Sequence, residues 1–267
     1  MSTEMNEILD QNFHSRTATA PVNVLGVSVD SLSSDALIEQ VLAVNPGDKA
    51  ITVMYANIHV LNTSWSDRRL RTILNEADIV YCDGSGVRLG ARLLGHTLPP
   101  RMTGADWMDP FCAASAGRGT SIYLLGSRPG VADIAADVLR ARHQGLNIGG
   151  THHGYLNDSA ANAAAIASIN KVRPHVLFVG MGTPIQERWI SEHRHELNIP
   201  VVWAVGALFD FIGGFQPRAP RWMLAHNLEW LHRFWVEPKR MWKRYILGNP
   251  LFVWRVMMQR LGLSHRG

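Results

Sequence analysis

The middle of the chain alternates short apolar runs with amphipathic stretches of helical period. The runs that predict β-strands are residues 22–27, 50–56, 78–82, 121–125, 146–150, 176–180 and 200–205. The stretches that predict helices are residues 34–44, 68–76, 109–116, 131–142, 159–171 and 184–196. Strands that alternate with such helices are typical of parallel βαβ units with right-handed crossovers. The pattern predicts an α/β fold, in which a Rossmann-like parallel sheet flanked by helices spans residues 20 to about 215 and a helical C-terminal segment follows.

Prolines mark two of the predicted helix starts. Pro110 suits the first turn of the helix over 109–116, where its missing backbone N–H costs no hydrogen bond. Pro129 and Gly130 precede the helix over 131–142 and indicate where the chain enters it.

The composition is that of a globular protein. Of 267 residues, 46% are hydrophobic and 18% are charged, which excludes a disordered, collagen-like or coiled-coil chain. The two cysteines, Cys82 and Cys112, are too few for a disulfide framework or a four-thiolate zinc site, and we expect buried free thiols. Residues 1–20 are polar and lack the apolar core of a signal peptide, so a flexible N-terminal segment is expected there. The apolar stretch over 245–254 is too short to span a membrane.

Positive charge is concentrated at the C-terminus. Residues 221–267 contain nine Lys or Arg, two acidic residues and five of the nine tryptophans, whereas the net charge of the whole chain is only +4. A basic, tryptophan-rich helical segment suits an anionic membrane surface. Packing of the tryptophans on the body is the alternative, and nucleic-acid binding finds no motif to support it. We divide the chain into an N-terminal segment (1–20), an α/β body (21–220) and this basic tail (221–267), and we expect the body to fold without the tail.

Four polar or glycine-rich segments follow predicted strands, at the edge where open parallel sheets bind ligands. They are residues 55–57, 83–86, 126–130 and 180–186. Asp83 has the sharpest position, directly after an apolar run and before Gly84 and Gly86. A carboxylate there can accept the proton of a hydroxyl nucleophile while nearby N–H groups hold a phosphate. The alternative is an aspartate that only caps the next turn.

Two later segments offer further binding groups. Gln186, in the glycine-rich stretch after the strand over 176–180, has an amide that can bind a uracil or a sugar, while Glu187 is expected to cap the helix or to pair with Arg188. Arg218 lies on a proline-containing loop, where a guanidinium suits diphosphate oxygens or is simply solvated.

Metal and dinucleotide sites are not indicated. The chain has no Asp-x-Asp pair for Mg²⁺, and the histidine pairs at 152–153 and 193/195 lack a third ligand at metal-binding spacing. Gly84-Ser-Gly86 is a weak dinucleotide fingerprint because no glycine follows at the third position and no acidic residue stands at a following strand end about 20 residues on. We therefore expect neither a metal nor a cofactor.

Several motifs together resemble the WecG/TagA/CpsF glycosyltransferases, family 26 of the glycosyltransferase classification. They are DGSG at 83–86, RMTGAD at 101–106, YLLG at 123–126, THHGY at 151–155, GMGTPIQERW at 180–189, GALFD at 206–210, RAP at 218–220 and LEWLHR at 228–233, followed by EP at 237–238. The resemblance implies a metal-independent, inverting transfer of a hexose or N-acetylhexosamine, such as glucose or N-acetylmannosamine. The donor would be a UDP-sugar and the acceptor a polyprenyl-diphosphate-linked sugar, at the cytoplasmic face of the inner membrane, in cell-surface polysaccharide synthesis.

The resemblance also implies roles for individual residues. Asp83 matches the general base and Arg101 an active-site arginine. The substrate-binding positions that it implies, or that adjoin these motifs, are Tyr55, Asn57, Gly84, Ser85, Gln186, Arg218, Arg233, Arg240, Lys243 and Arg244. Tyr55 stands where the family often has a small threonine, a departure that concerns the identity of the sugars.

A second function class remains open from the sequence. A regulator that binds a nucleotide or sugar phosphate, and docks to a membrane or nucleic acid through its tail, needs no carboxylate in the cleft. A dehydrogenase is disfavoured because the ribose-binding acid is absent. The oligomeric state is left open, and a homo-oligomer is compatible with the sequence.

Overall fold

The computed structural model describes residues 20–100, 102–220, 222–223 and 229–263, and of Glu229, Arg233 and Arg240 it describes the backbone alone. The strands are β1 (Val22–Val24), β2 (Val27–Val29), β3 (Ile51–Ala56), β4 (Ile79–Cys82), β5 (Ser121–Gly126), β6 (Asn147–His152), β7 (Val176–Gly180) and β8 (Val201–Ala204). Within this part of the chain, the last six form one parallel sheet in the order β4-β3-β8-β7-β5-β6. The predicted Rossmann-like α/β architecture is thereby confirmed.

Helices flank this sheet and continue beyond it. They are α1 (Ser34–Leu42), α2 (Ile58–Ser66), α3 (Arg68–Glu76), α4 (Ser85–Leu93), α5 (Gly104–Arg118), α6 (Val131–Arg142), α7 (Ser159–Val172), α8 (Ile185–His193), α9 (Leu208–Ile212), α10 (Glu229–Val236), α11 (Pro238–Trp242) and α12 (Gly248–Arg260). A π-helical turn, Lys243–Leu247, joins α11 to α12.

The first apolar run differs from its prediction. Residues 22–27 do not form one strand, because Leu25 and Gly26 both adopt positive φ and turn the chain back as an antiparallel hairpin of β1 and β2. Asp30 attaches the hairpin to the sheet, since the Val80 N–H donates to Asp30 Oδ2 at 2.7 Å and the Asp30 N–H donates to the Val80 carbonyl at 2.8 Å.

The helix around Pro110 begins earlier than predicted. Thr103 and Asp106 form a capping box that starts α5 at Gly104. Pro110 consequently lies in the second turn, and its placement in the first turn was wrong. The strong capping signal outweighs the proline as a start signal, because a capping box satisfies two of the N–H groups left open at a helix start.

The core is built on buried strands and an aromatic cluster. All residues of β3 and β7 are buried, as parallel strands covered on both faces require. Trp107 of α5 stacks on Trp203 of β8 with ring centroids 4.1 Å apart. Phe111 packs edge-on against both rings, and Phe178 packs against them in a tilted orientation. The two cysteines are buried free thiols as predicted.

The last helix belongs to this core. Phe252 and Val256 of α12 are fully buried, and a Cβ on Gly90 of α4 would lie 2.7 Å from the Phe252 ring. The Asn62 side-chain amide donates to the Gly248 carbonyl at 2.7 Å, and the Leu25 N–H donates to the Gln259 side chain at 2.8 Å. Removing residues 221–267 would expose the apolar surface that α12 covers, and the folding of the body without them stays a prediction.

The five tryptophans of the tail are not buried in the core, although Trp254 lies on α12. Trp222, Trp230, Trp235, Trp242 and Trp254 are 61%, 39%, 83%, 43% and 58% exposed, respectively. Packing of these five side chains on the body, the alternative raised by the sequence, is therefore not what the structure shows. Among the helices that the structure describes, none is long and apolar enough to cross a membrane.

Candidate active site

Asp83 and Asn57 meet at the carboxyl ends of two neighbouring strands. Asp83 follows β4 and donates its backbone N–H to the Ala56 carbonyl at the end of β3 at 2.8 Å. Asn57 is the next residue after β3, and its side-chain Nδ2 donates to Asp83 Oδ2 at 2.9 Å. The Asn57 Oδ1 accepts the Val60 N–H at 3.0 Å as the N-cap of α2. Both ends of the amide are thus engaged, which fixes the orientation of the carboxylate.

The turn after Asp83 depends on two glycines. Gly84 has a φ of +91°, a conformation that L side chains rarely adopt. Gly86 lies so close to α2 that an added Cβ would stand 2.3 Å from Ile58 Cδ1. The turn therefore leads directly into α4, whose bounds the pattern of apolar residues did not predict because this glycine-rich start has low helix propensity.

A cavity of about 430 Å³ opens above Asp83, and we call it the carboxylate cleft. It is lined by Asn57, Ile58, His59, Asp83, Gly84, Ser85, Gly86, Leu89, Thr103, Trp230, Arg244, Tyr245, Asn249, Phe252 and Val253. The predicted residues Asn57, Gly84 and Ser85 are thus brought together with Asp83. The other wall comes from the tail, since Trp230, Arg244 and Tyr245 lie on α10 and on the π-helical turn.

The predicted cations are distributed unevenly around this cleft. Arg244 lines it, with its guanidinium 5.9 Å from the centroid of the Tyr245 ring. Lys243 is exposed and lies over the Trp242 ring. Arg218 is turned toward the start of α5, where it donates to the Ala105 carbonyl at 3.0 Å and pairs with Asp106.

Three of the predicted arginines have side chains that the structure does not describe. Arg101 lies outside the described residues, and the side chains of Arg233 and Arg240 are likewise undescribed. Their proposed roles rest on the sequence alone.

The Gln186 side chain is buried and binds neighbouring backbone groups. Its side chain is fully buried, and its Oε1 accepts the N–H groups of Gly206 at 2.9 Å and Gly182 at 3.3 Å. Its Nε2 donates to the Tyr55 hydroxyl at 3.1 Å. Tyr55 is buried too, and burial raises the pKa of its phenol. Neither side chain lines the carboxylate cleft, and both lie beneath the strand ends.

Glu187 lies buried beside Gln186. Its Oε1 accepts hydrogen bonds of 2.8 Å from the Thr183 hydroxyl and from Gln186 Nε2, and burial raises the pKa of the carboxyl. The sequence suggested that Glu187 could pair with Arg188. It does not, because the Arg188 guanidinium points away and binds the Asp67 carboxylate at 2.6 Å.

A second cavity, of about 490 Å³, lies over the ends of β5, β7 and β8, and we call it the glycine-turn cavity. It is lined by Ser127, Arg128, Gly154, Tyr155, Leu156, Asn157, Gly180, Met181, Gly182, Ile185, Trp189, Gly206, Ala207 and Asp210. Asp210 accepts the Ser127 hydroxyl at 2.8 Å and lies 3.9 Å from Arg128. The segments 126–130 and 180–186 are predicted from the sequence to lie at this edge, whereas Tyr155 and Asp210 were not predicted to bind a ligand.

Gly180 and Gly206 line the floor of the glycine-turn cavity, and Gly126 lies beside Gly180 at the end of the adjoining strand. A Cβ on Gly126 would lie 2.4 Å from the Gly180 carbonyl oxygen, and one on Gly180 would lie 2.8 Å from the Gly206 oxygen. A Cβ on Gly206 would lie 2.7 Å from the Tyr55 hydroxyl. The absence of side chains at these three positions therefore allows the strand ends to pack closely against one another.

Metal ligands are not clustered in the part of the chain that the structure describes: no three His, Cys, Asp or Glu side chains are grouped so as to hold an ion. His152 and His153 contact each other, with Nδ1 of the first 2.7 Å from the carbonyl oxygen of the second.

Comparison with known proteins shows the family of this chain. The sequence model of the glycosyl transferase WecG/TagA/CpsF family matches residues 22–266 of this chain. Similar proteins include the N-acetylglucosaminyldiphosphoundecaprenol N-acetyl-beta-D-mannosaminyltransferases of Staphylococcus aureus strains NCTC 8325 / PS 47, COL and MW2. Each is 26% identical to this chain over 243 residues, which cover 90% of this chain and 94% of the relative.

Proposed function

Because this chain belongs to the glycosyl transferase WecG/TagA/CpsF family, we propose that it transfers a hexose or N-acetylhexosamine from a UDP-sugar to a polyprenyl-diphosphate-linked sugar, with inversion. N-acetylmannosamine is favoured as the transferred sugar by the names of the similar Staphylococcus aureus enzymes; glucose is the other candidate. The observation that carries the proposal is the Asp83 carboxylate, oriented by Asn57 in a cleft at the carboxyl edge of a parallel sheet.

In this mechanism the cleft activates the acceptor. The acceptor hydroxyl gives its proton to Asp83 while its oxygen bonds to the anomeric carbon of the donor sugar. The bond between that carbon and the UDP oxygen breaks, and UDP departs with the electron pair. Asp83 is suited to the role of general base because the carboxylate lies on the cleft wall with one oxygen held by Asn57.

The departing diphosphate needs positive charge. Arg244 lines the cleft, and a guanidinium can bind two phosphate oxygens at once. Lys243 precedes it, and Arg233 and Arg240 belong to α10 and α11 of the same basic tail. We assign these residues to stabilising the leaving group, a task that requires several cations when no metal ion takes part.

The glycine-turn cavity suits the nucleotide part of the donor. The glycines that line it present no side chain to a ligand, Arg128 and Asp210 offer a cation and an acceptor, and the half-exposed Tyr155 ring offers a stacking surface. The Gln186 contacts to the backbone of Gly182 and Gly206 support this floor from below. Gln186 therefore serves donor binding indirectly.

The tail suits contact with an anionic membrane. Its five tryptophans are exposed, and nine basic residues accompany two acidic ones. Indole rings favour the headgroup level and cations favour anionic lipid. The protein would thus act peripherally at the cytoplasmic face of the inner membrane, where a lipid-linked acceptor is presented beside the cleft.

Radiolabelled sugar transfer tests this function. A panel of UDP-sugars is offered with short-chain polyprenyl-diphosphate GlcNAc or glucose as acceptor, and labelled lipid is extracted and counted. We expect transfer from UDP-N-acetylmannosamine or UDP-glucose. Binding of UDP-sugar without transfer to either acceptor would favour the regulator and contradict the enzyme.

A further inference from the structure

The carboxylate cleft continues into an apolar groove on the tail. This groove, which we call the tail groove, has a volume of about 580 Å³. It is lined by Trp230, Tyr245, Ile246, Asn249, Pro250, Val253 and Trp254. Apart from the Asn249 side chain, its walls are aliphatic or aromatic. Such a surface suits an apolar ligand.

The two cavities share one wall. Trp230, Tyr245, Asn249 and Val253 line both of them. Trp230 and Tyr245 pack edge-on with ring centroids 6.1 Å apart, so the shared wall is built from paired aromatic rings. Polar chemistry therefore lies on one side of this wall, at Asp83 and Arg244, and only apolar surface lies on the other.

This order of surfaces matches one amphipathic molecule. Resting on the proposed function, we propose that the tail groove binds the first isoprene units of the lipid-linked acceptor. The acceptor sugar would then reach Asp83, and its isoprenoid chain would cross the Trp230–Tyr245 wall. A chain held in this way aligns the acceptor hydroxyl, since binding energy from a remote part of a substrate can be used for orientation at the reacting centre.

The tail groove is a better match for an isoprenoid chain than for a membrane surface. A membrane-contacting face requires only outward apolar side chains, whereas this groove shares four of its lining residues with the cleft. Ile246 and Trp254 line the tail groove but not the carboxylate cleft, and their side chains are 54% and 58% exposed. Leu251 is also exposed, at 39%, but lines neither cavity. These residues allow a matched comparison on adjoining turns of one segment.

The experiment uses full-length protein without membranes. Two acceptors carry the same diphosphate-linked sugar, one with a farnesyl chain and one with a methyl group. For the wild type we expect a KM for the farnesyl acceptor about tenfold or more below that for the methyl acceptor. Ile246→Ser and Trp254→Ala should each raise the KM for the farnesyl acceptor by up to about tenfold and leave the KM of the methyl acceptor and of the donor unchanged. Leu251→Ser, the matched control, should change none of them.

A binding measurement separates this inference from the proposed function. Farnesyl diphosphate and inorganic diphosphate are titrated against tryptophan fluorescence, which requires no turnover. Tighter binding of farnesyl diphosphate, weakened by Ile246→Ser and not by Leu251→Ser, supports the groove even if no sugar is transferred, in which case the proposed function alone fails. Equal KM values for the two acceptors, or equal binding of the two diphosphates, would overturn the groove assignment. So would variants that lose binding to anionic vesicles while retaining the wild-type preference for farnesyl.

Discussion

The Asn57 side chain joins the end of β3 to the Asp83 carboxylate, donating to Oδ2 at 2.9 Å while capping α2 with its own oxygen. One amide thus performs a structural and an orienting task. Since a general base must present a lone pair in a defined direction, the loss of this amide should affect the reaction beyond its effect on stability.

Asp83→Asn should lower turnover by roughly 10²- to 10⁴-fold, which is the usual contribution of a general base. Donor binding should change little, because the amide keeps the shape of the side chain. A single-turnover assay of labelled sugar transfer measures this effect. Asp137→Asn, a change at an aspartate that is 77% exposed, is the control and should be silent. Near-full activity of Asp83→Asn would remove Asp83 from the role of base.

Asn57→Ala should lose both tasks of the amide. Loss of the N-cap should lower the free energy of unfolding by about 0.5–2 kcal/mol, and loss of the bond to Asp83 should lower kcat. Ser33→Ala is the matched control, because Ser33 caps α1 through its contact with the Ala36 N–H and touches nothing in the cleft. Urea unfolding and steady-state kinetics on both variants separate the effects. Equal loss of kcat in the two would show that only stability is involved.

Glu187→Gln should change how stability depends on pH. Burial raises the pKa of Glu187 above its ordinary value of 4.5, so the folded protein binds the proton more tightly than the unfolded chain does. The cost of the buried charge is absent below about pH 4.5 and grows as the pH rises toward the raised pKa. The glutamine variant lacks this cost and should gain stability relative to the wild type over that window.

Urea unfolding at several pH values between about 4 and 8 measures this difference. Glu187→Ala serves as the comparison, because it removes the acceptor for Thr183 and Gln186 and should raise the KM for the donor at every pH. A constant difference in stability between the wild type and Glu187→Gln would mean that the carboxyl does not titrate differently in the folded state.

Phe252→Ala should destabilise the whole body. The ring is fully buried against Gly90, and truncating a buried phenylalanine costs about 3–5 kcal/mol. Leu251→Ala, one residue away and 39% exposed, should stay within about 0.5 kcal/mol. Chemical denaturation of both variants decides the matter. If both behave as the wild type, α12 is a detachable anchor after all.

Transfer activity should persist in EDTA. The chain has no Asp-x-Asp pair, and the proposed stabilisation of the leaving group comes from cations of the tail. The measurement is initial rate with and without chelator, followed by addition of Mg²⁺ or Mn²⁺. Complete loss that a divalent ion restores would contradict the metal-independent mechanism.

Local patterns predicted much of this fold. Residues 68–76, 131–142 and 176–180 form the predicted elements with the predicted bounds, because each has a clear period or apolar run with end signals beside it. Asp83 was placed at a strand tip for the same reason. The helix Ile58–Ser66 was missed because its buried face is reduced to Val60, Leu61 and Ser64.

Contacts between distant parts of the chain could not be predicted in this way. The Gln186 side chain is buried because Tyr55, 131 residues earlier, lies across from it, and no local pattern encodes that pairing. The anchoring of α12 on Asn62 and Gly90 is similarly remote in sequence. A helix with exposed tryptophans and a basic composition suggests a separate segment, whereas two buried side chains on its opposite face join it to the body.

The row formed by Gly126, Gly180, Gly206 and the Tyr55 hydroxyl has a consequence for how this protein can be altered. Each member is in near contact with the next, so a methyl group added at any of the three glycines would push on its neighbour and displace the following strand end. Single substitutions at these three glycines should consequently not be tolerated. Variants with a new donor preference should arise from the loop that carries Tyr155 and Asn157, where side chains face the same cavity with room to change.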